Sequence, residues 1–197
     1  MPSFAIQKQW VITLNGKQVI MKNTIKLMLA LFSGIFAIGC TEANSSDKNE
    51  NTVKVGDKLP AFTLKDQNGN AFSSTDYIGK KKIVIYFYPE DESGICTKEA
   101  CAFRDSYAAF EDAGAIVVGI NSGTVASHKA FQENHHLQFT LLSDPDNKVL
   151  KAFGIKNVLF LTGRETFVVD LSGKVVFNFR GFLNGDEHSK KALASLK

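Results

Sequence analysis

Basic charge is missing where a nucleic-acid partner would need it. The 197-residue chain carries a formal charge of +3, but Lys8, Lys17, Lys22 and Lys26 all precede Cys40. From Thr41 onward 19 basic residues face 20 acidic ones, a net charge of −1. No basic stripe remains for nucleic acid, and that class is set aside. Cysteine is scarce as well. The three residues Cys40, Cys96 and Cys101 are too few for a disulfide framework, and the close pair is not spaced as a C-x-x-C zinc or redox motif. The apolar run from Leu27 to Ile38 is also too short for a permanent span, at roughly a dozen residues where a transmembrane helix needs about 20. Tryptophan occurs once, at Trp10 ahead of that run, and no internal repeat is visible. What is present is an ordinary globular composition, 44% apolar, in a chain long enough for one good-sized core.

From Met21 the sequence MKNTIKLMLALFSGIFAIGC places Lys22 and Lys26 before the apolar run and Gly39 before Cys40. That order of charge, apolar segment and small residue is a secretory signal, so residues 1–39 read as a leader whose translation starts at Met1 or Met21. Ala37-Ile38-Gly39-Cys40 resembles a bacterial lipobox, with Ala37 where leucine is usual. The resemblance implies cleavage before Cys40, diacylation of its sulfur and anchoring to the bacterial cell envelope; the alternative is a soluble periplasmic protein. The segment before Met21 has no strong pattern and is assigned no fold. Residues 40–52 continue with TEANSSDKNENT, polar and free of aromatics, which cannot bury enough surface to fold and read as a tether.

Residues 53–197 carry the folding signals. Ala61 to Leu64 and Ala71 to Ser73 flank Asp66-Gln67-Asn68-Gly69-Asn70, whose Asn-Gly predicts a small antiparallel hairpin. Ile83 to Tyr88 is an unbroken β-branched and aromatic run, expected of a central strand buried on both faces, and Pro89 stops it. Between Cys96 and Ala113, Phe103, Tyr107 and Phe110 recur at helical spacing with Glu99, Arg104 and Asp105 among the polar residues around them. One amphipathic helix ended by Gly114 is predicted. A strand over Ala115 to Ile120 follows, then a helix from Thr124 to His135 capped by Ser122 or Thr124. A strand over Phe139 to Leu142 and a short helix from Asp146 to Phe153 come next. Thr166 to Val169 and Val175 to Phe179 form a second hairpin about Asp170 to Lys174, and Glu187 to Leu196 closes as a helix. The alternation predicts an α/β domain, a central sheet flanked by helices.

Cys96 falls where the central strand's exit loop meets a helix. Unpaired N–H groups and the positive end of the helix dipole lie at such a start, and both favour thiolate over thiol. A free cysteine, with a pKa of about 8.5, is only a few per cent thiolate at neutral pH, so position supplies part of the activation that nucleophilic chemistry needs.

The stretch YFYPEDESGICTKEACAFRD resembles the active-site segment of peroxiredoxins, specifically the bacterioferritin-comigratory or Q group, and the resemblance runs from Val53 to the C-terminus. The family pattern Pro-x-x-x-Thr/Ser-x-x-Cys is matched by Pro89, Ser93 and Cys96. Arg164 is the positional match for an arginine brought from a later strand. Relatives commonly read Thr-Pro-Gly-Cys where this chain reads Ser93-Gly94-Ile95-Cys96. The resemblance implies a thioredoxin-like fold with a mixed sheet and an N-terminal hairpin, and a peroxidase. Cys96 would be the peroxidatic nucleophile that becomes a sulfenic acid. Ser93 would hydrogen-bond the peroxide, Arg164 would stabilise the thiolate and the charge developing on the O–O bond, and Pro89 would shield the site. Cys101 matches the resolving cysteine. Five residues on in an intact helix its side chain is rotated by roughly 140° and lifted by about 7.5 Å, outside disulfide geometry, so the helix start must unwind for the bond to form. Gly94 and the polar turn make that fraying cheap. The resemblance further implies a thioredoxin-like dithiol reductant; no cofactor or metal is expected, and the chain is expected to act as a monomer.

Plainer readings compete. A lone cysteine at a helix start is more often a small buried residue, Cys101 could be core filler, and Arg164 taken alone reads as a surface ion-pair partner. His135-His136 does not suggest a metal, because neighbours on a helix point about 100° apart and no third ligand is spaced to join them; a solvated helix end is expected. Lys80 to Lys82 read as a solvated strand entrance or an edge guard rather than a binding patch. A thiol-disulfide oxidoreductase of the same fold, detectable by insulin reduction, and a non-enzymatic scaffold indifferent to peroxide are the rival functions.

Overall fold

The computed structural model describes residues 52–156 and 163–197, together with two short strands near the N-terminus. The chain divides into two units, Met1–Ser45 and Ser46–Lys197. In the first, β1 (Ile12–Leu14) pairs antiparallel with β2 (Lys17–Val19), Ile12 opposite Val19. This corrects the reading that gave the segment no fold; the Asn15-Gly16 step between the strands is itself a two-residue hairpin signal. The apolar leader run, Cys40 and the tether up to Asn51 lie outside the described residues. Among those residues no helix is long and apolar enough to cross a membrane.

The second unit is built on a seven-stranded mixed sheet. Its strands are β3 (Thr63–Asp66), β4 (Ala71–Ser73), β5 (Lys82–Phe87), β6 (Ala115–Asn121), β7 (Thr140–Ser143), β8 (Glu165–Val169) and β9 (Val175–Arg180), in the order β4-β3-β7-β6-β5-β8-β9. β5 runs parallel to β6 and antiparallel to β8, while β3 and β4 form the expected hairpin and join the sheet through β7. The helices are α1 (Gly94–Asp105), α2 (Tyr107–Asp112), α3 (Val125–His135), α4 (Lys148–Ala152) and α5 (Gly185–Ala194). This is the thioredoxin-like α/β layout that the resemblance implied.

The alternation of side chains along β5 explains why both faces must be covered. Ile83, Ile85 and Phe87 enter one core with Phe153 and Phe167; Val84, Tyr86 and Tyr88 enter another with Cys96, Phe103, Phe110 and Phe131. With period-2 geometry, a run apolar at every position forces this two-sided burial. The nucleophile candidate therefore stands on the second face, under an aromatic layer in which Tyr86 stacks on Phe103 at 4.6 Å and on Tyr88 at 5.2 Å. Gly119 of β6 makes room for that layer: a Cβ there would lie 2.6 Å from Tyr86 Cζ, and the stacked ring has nowhere to go. Gly119→Ala should cost about 2 kcal/mol through overpacking; an unchanged midpoint in urea unfolding would refute this packing argument.

Several local expectations are corrected. The single helix over Cys96 to Ala113 is two, because Ser106 leaves helical geometry at φ −102, ψ 5. Serine is a weak helix interior residue, and after the break Phe110 lies 5.7 Å from Phe103 in the same core. Glu99 is not on a polar face but fully buried. Lys82 is no solvated entrance residue, since its Nζ donates to Leu196 O at 3.1 Å. Nor is His135 a free helix end: its Nε2 meets Glu92 Oε2 at 2.7 Å. Thr124 does cap α3, accepting from Ser127 N at 3.1 Å.

Candidate active site

The loop between β5 and α1 is pinned before it reaches the cysteine. Asp91 is its anchor: Tyr88 Oη donates to Oδ1 at 2.7 Å and Asn121 Nδ2 at 3.1 Å, while Ser127 Oγ donates to Oδ2 at 2.5 Å and His128 Nδ1 lies 2.9 Å from it. Burial by itself would raise this carboxyl, but the bonds to His128 and Ser127, with the Tyr88 hydroxyl, outweigh it and hold Asp91 below the ordinary aspartate value. Next to it Glu92, in the left-handed region at φ 58, ties the loop to Asn134 and His135 of α3. Burial pushes the phenols of Tyr86 and Tyr88 well above 10, so both stay neutral beneath the site.

The loop delivers Ser93 in extended geometry as the residue before α1, and Thr97 N closes the first helical bond on Ser93 O at 2.8 Å. Cys96 is therefore third in α1, within the turn whose N–H groups have no helical acceptor. Its side chain is buried, 1% exposed. Arg164, just before β8, uses each edge of its guanidinium: Nη2 donates to Cys96 Sγ at 3.1 Å, Nε donates to Phe182 O at 3.1 Å, and Nη1 pairs with Glu99 Oε2. Cys96 and Glu99 share a helix face at spacing i, i+3, so one cation can touch both. Arg164 is 4% exposed and far from an ordinary surface ion-pair partner.

Above the sulfur lies a cleft of about 400 Å³ whose walls include Pro89, Ser93, Ile95, Arg164 and Phe182. Ser93 Oγ makes one long contact, to Glu90 O at 3.4 Å, which leaves it free to turn to a ligand. Thus Cys96, Ser93, Arg164 and Pro89 converge on one cavity. Cys101 does not line it; it sits half-buried further along α1, and both thiols are free.

Three contributors escaped the sequence reading: Asp91, Glu99 and His188. His188 of α5 is fully buried, its Nε2 2.8 Å from Gly181 O and its Nδ1 2.8 Å from Thr166 Oγ1. Burial lowers it to about 4, so the ring is neutral near pH 7. Only Glu99 had a local signal, its i+3 spacing from Cys96.

Comparison with known proteins places this geometry. Residues 55–178 match the AhpC/TSA family. The chain is 46% identical over 159 residues to the chloroplastic peroxiredoxin Q of Populus jackii, covering 79% of this chain and 74% of that protein. It is 48% identical over 157 residues to the chloroplastic peroxiredoxin Q of Sedum lineare, covering 76% and 84%. Among solved structures, peroxidoxin BcpB of Mycobacterium tuberculosis aligns with a TM-score of 0.69 at 35% identity, over 73% of this chain and 96% of that one. The bacterioferritin comigratory protein of Xanthomonas campestris, described by its alkyl peroxide reduction activity, aligns with a TM-score of 0.65 at 28% identity, over 71% and 97%. With its cysteine held against an arginine at the floor of a cleft, this chain belongs to the AhpC/TSA family and is a peroxidase of the peroxiredoxin kind.

Proposed function

We propose that the chain reduces hydrogen peroxide and organic hydroperoxides to water or alcohols through a sulfenic acid on Cys96, in antioxidant defence. The observation that carries this reading is the 3.1 Å donation from Arg164 Nη2 to Cys96 Sγ beneath the cleft. The Cys96 thiolate attacks one peroxide oxygen, the O–O bond breaks, and the departing hydroxide or alkoxide takes a proton. Ser93 orients the peroxide, Arg164 meets the charge that develops on the oxygens, and Pro89 keeps the loop closed over the sulfur. Water is then lost as the Cys101 thiol condenses with the sulfenic acid. Because i, i+5 positions in a helix are about 7.5 Å apart along its axis, α1 must open at its start for that step. A thioredoxin-like dithiol protein returns both thiols by two exchanges.

The test uses the reduced full chain with Cys40→Ser as the background, called wild type for this assay, and one equivalent of hydrogen peroxide, with free thiols and intact mass followed in wild type, Cys96→Ser and Cys101→Ser. Loss of both thiols in wild type, a trapped sulfenic acid in Cys101→Ser and inertness in Cys96→Ser are expected. Thiols that survive for hours in wild type would return the choice to disulfide exchange or a scaffold. Phe182, 37% exposed at the cleft, offers an apolar wall to an alkyl group. Phe182→Ala should slow a bulky organic hydroperoxide about 10-fold, the scale of losing part of an apolar contact, and leave hydrogen peroxide within about twofold. Equal effects on both substrates would remove Phe182 from substrate selection.

In the same proposal residues 1–39 are a secretory leader, Cys40 carries the lipid at the bacterial envelope, residues 40–52 are a tether and residues 53–197 act as a monomeric catalytic domain. The order of charge, apolar run, Gly39 and Cys40 supports this. The reductant is then a dithiol protein of the exported compartment. Intact mass of the mature chain from envelope fractions tests it: an unlipidated N-terminus in the soluble periplasm would favour the alternative.

A further inference from the structure

One buried polar atom behind Arg164, Glu99 Oε1, is left without a hydrogen-bond partner. Glu99 is fully buried; its Oε2 pairs with Arg164, but its Oε1 has no hydrogen bond and lies 3.5 Å from His188 Nδ1. His188 Nε2 faces the carbonyl of Gly181, which can only accept, so the ring's proton is on Nε2 and Nδ1 presents a lone pair that takes the Thr166 hydroxyl. An ionised Glu99 therefore points an unpaired carboxylate oxygen at an unprotonated nitrogen, which a dry site disfavours. One additional proton between Oε1 and Nδ1 repairs the arrangement.

We propose that Glu99 and His188 together hold one proton whenever Cys96 is a thiolate, so that the nucleophile forms without any net change in the charge of the buried cluster. The step is balanced: the S–H bond of Cys96 is broken, an O–H bond forms on Glu99 Oε1 and is directed at Nδ1 of His188 in place of the Thr166 hydroxyl, which turns away, and nothing is oxidised or reduced. The proton travels by way of solvent, since the linkage is between equilibria and requires no direct path. With Glu99 ionised, Arg164 is already neutralised and a thiolate would be a surplus buried anion. With Glu99 protonated, the charge of Arg164 belongs to Cys96. The groups facing the pair fit this account: Arg164 before β8, Cys96 on α1, and Glu187 and Lys191 on α5, of opposite sign. The Tyr86 hydroxyl, kept neutral by burial, is felt by Cys96 and Arg164. His188 is thus a positioning residue acting through Glu99 and Arg164.

This inference rests on Cys96 being the nucleophile, but its test needs no peroxide. In the full chain with Cys40→Ser and Cys101→Ser, which leaves Cys96 as its one thiol, thiolate absorbance and the rate of alkylation of Cys96 are followed against pH for Glu99→Gln and His188→Gln. The glutamine at 188 keeps a donor for Gly181 O but cannot take the proton's place opposite Glu99. Glu99→Gln imitates the protonated acid, so its midpoint should stay at or below that of the parent. His188→Gln should raise it by about one pH unit, a tenfold change in the underlying equilibrium. Equal upward shifts in both variants would mean a merely structural role, and an unmoved His188→Gln would overturn the proposal outright. Should a variant fail to fold, infrared spectroscopy of the unmutated chain decides. A carboxylic acid C=O band at neutral pH that disappears when Cys96 is alkylated is expected, and its absence from the reduced protein refutes the idea.

Discussion

Arg164→Gln should slow the loss of the Cys96 thiol to hydrogen peroxide by about 10²–10³-fold, the usual effect of deleting one preorganised donor to a developing anion. The substitution removes the Nη2 contact to sulfur at 3.1 Å and, among the described residues lining the cleft, the one buried cation. It should also destabilise the fold by about 3 kcal/mol, because Glu99 is left buried without its partner. The two effects separate in the double variant Arg164→Gln with Glu99→Gln, which removes both charges together. Stability in urea should return most of the way toward wild type while the rate with peroxide stays low. A single variant that reacts at near wild-type speed would demote Arg164 to a structural ion pair. A double variant that regains the rate would show that only the burial of Glu99 had mattered.

How much of this could be read beforehand follows from how local each signal is. Ile83 to Tyr88 announced the central strand because apolar residues at consecutive positions satisfy both faces of a sheet, and the two cores divide them alternately. The cleft was legible through Pro89, Ser93 and Cys96, which one loop carries to one helix start. Arg164 came only from the family pattern, since nothing near it in sequence marks it as buried. Glu99 was misplaced for a different reason. Helical periodicity assigns charged residues outward by default, and the partner that makes its burial tolerable is 65 residues away. His188 and Asp91 failed in the same way, their partners lying on other elements: Thr166 and Gly181 for one, Asn121, Ser127 and His128 for the other. The break at Ser106 escaped because both halves keep helical spacing, and the tilted contact of Phe110 with Phe103 across it is a tertiary one that the spacing does not reveal.

His188 gives the fold a sensitivity to mild acid. Its ordinary value of 6.5 is lowered to about 4 in the folded chain, chiefly because burial penalises the charged ring. Between those two values the unfolded chain binds a proton that the folded chain refuses. Stability is therefore complete above about pH 6.5, falls as pH drops from there toward 4, and loses nothing further to this residue below it. A displacement of that size corresponds to about 3 kcal/mol, or about 10 °C of Tm in a domain of this length. Asp91 acts later and with the opposite kind of group. Its carboxyl is held below the ordinary 3.8, so its contribution is intact above that value and drains only as pH falls beneath it. Thermal unfolding of the full chain from pH 7.5 to 4.5 should thus show a decline that His188→Gln largely flattens and Asp91→Asn, lower in absolute stability, leaves in place. If His188→Gln lost stability as steeply as wild type over that range, the protonation that opposes folding would have to lie on another group, and the buried neutral ring would not be the acid-sensitive element of the site.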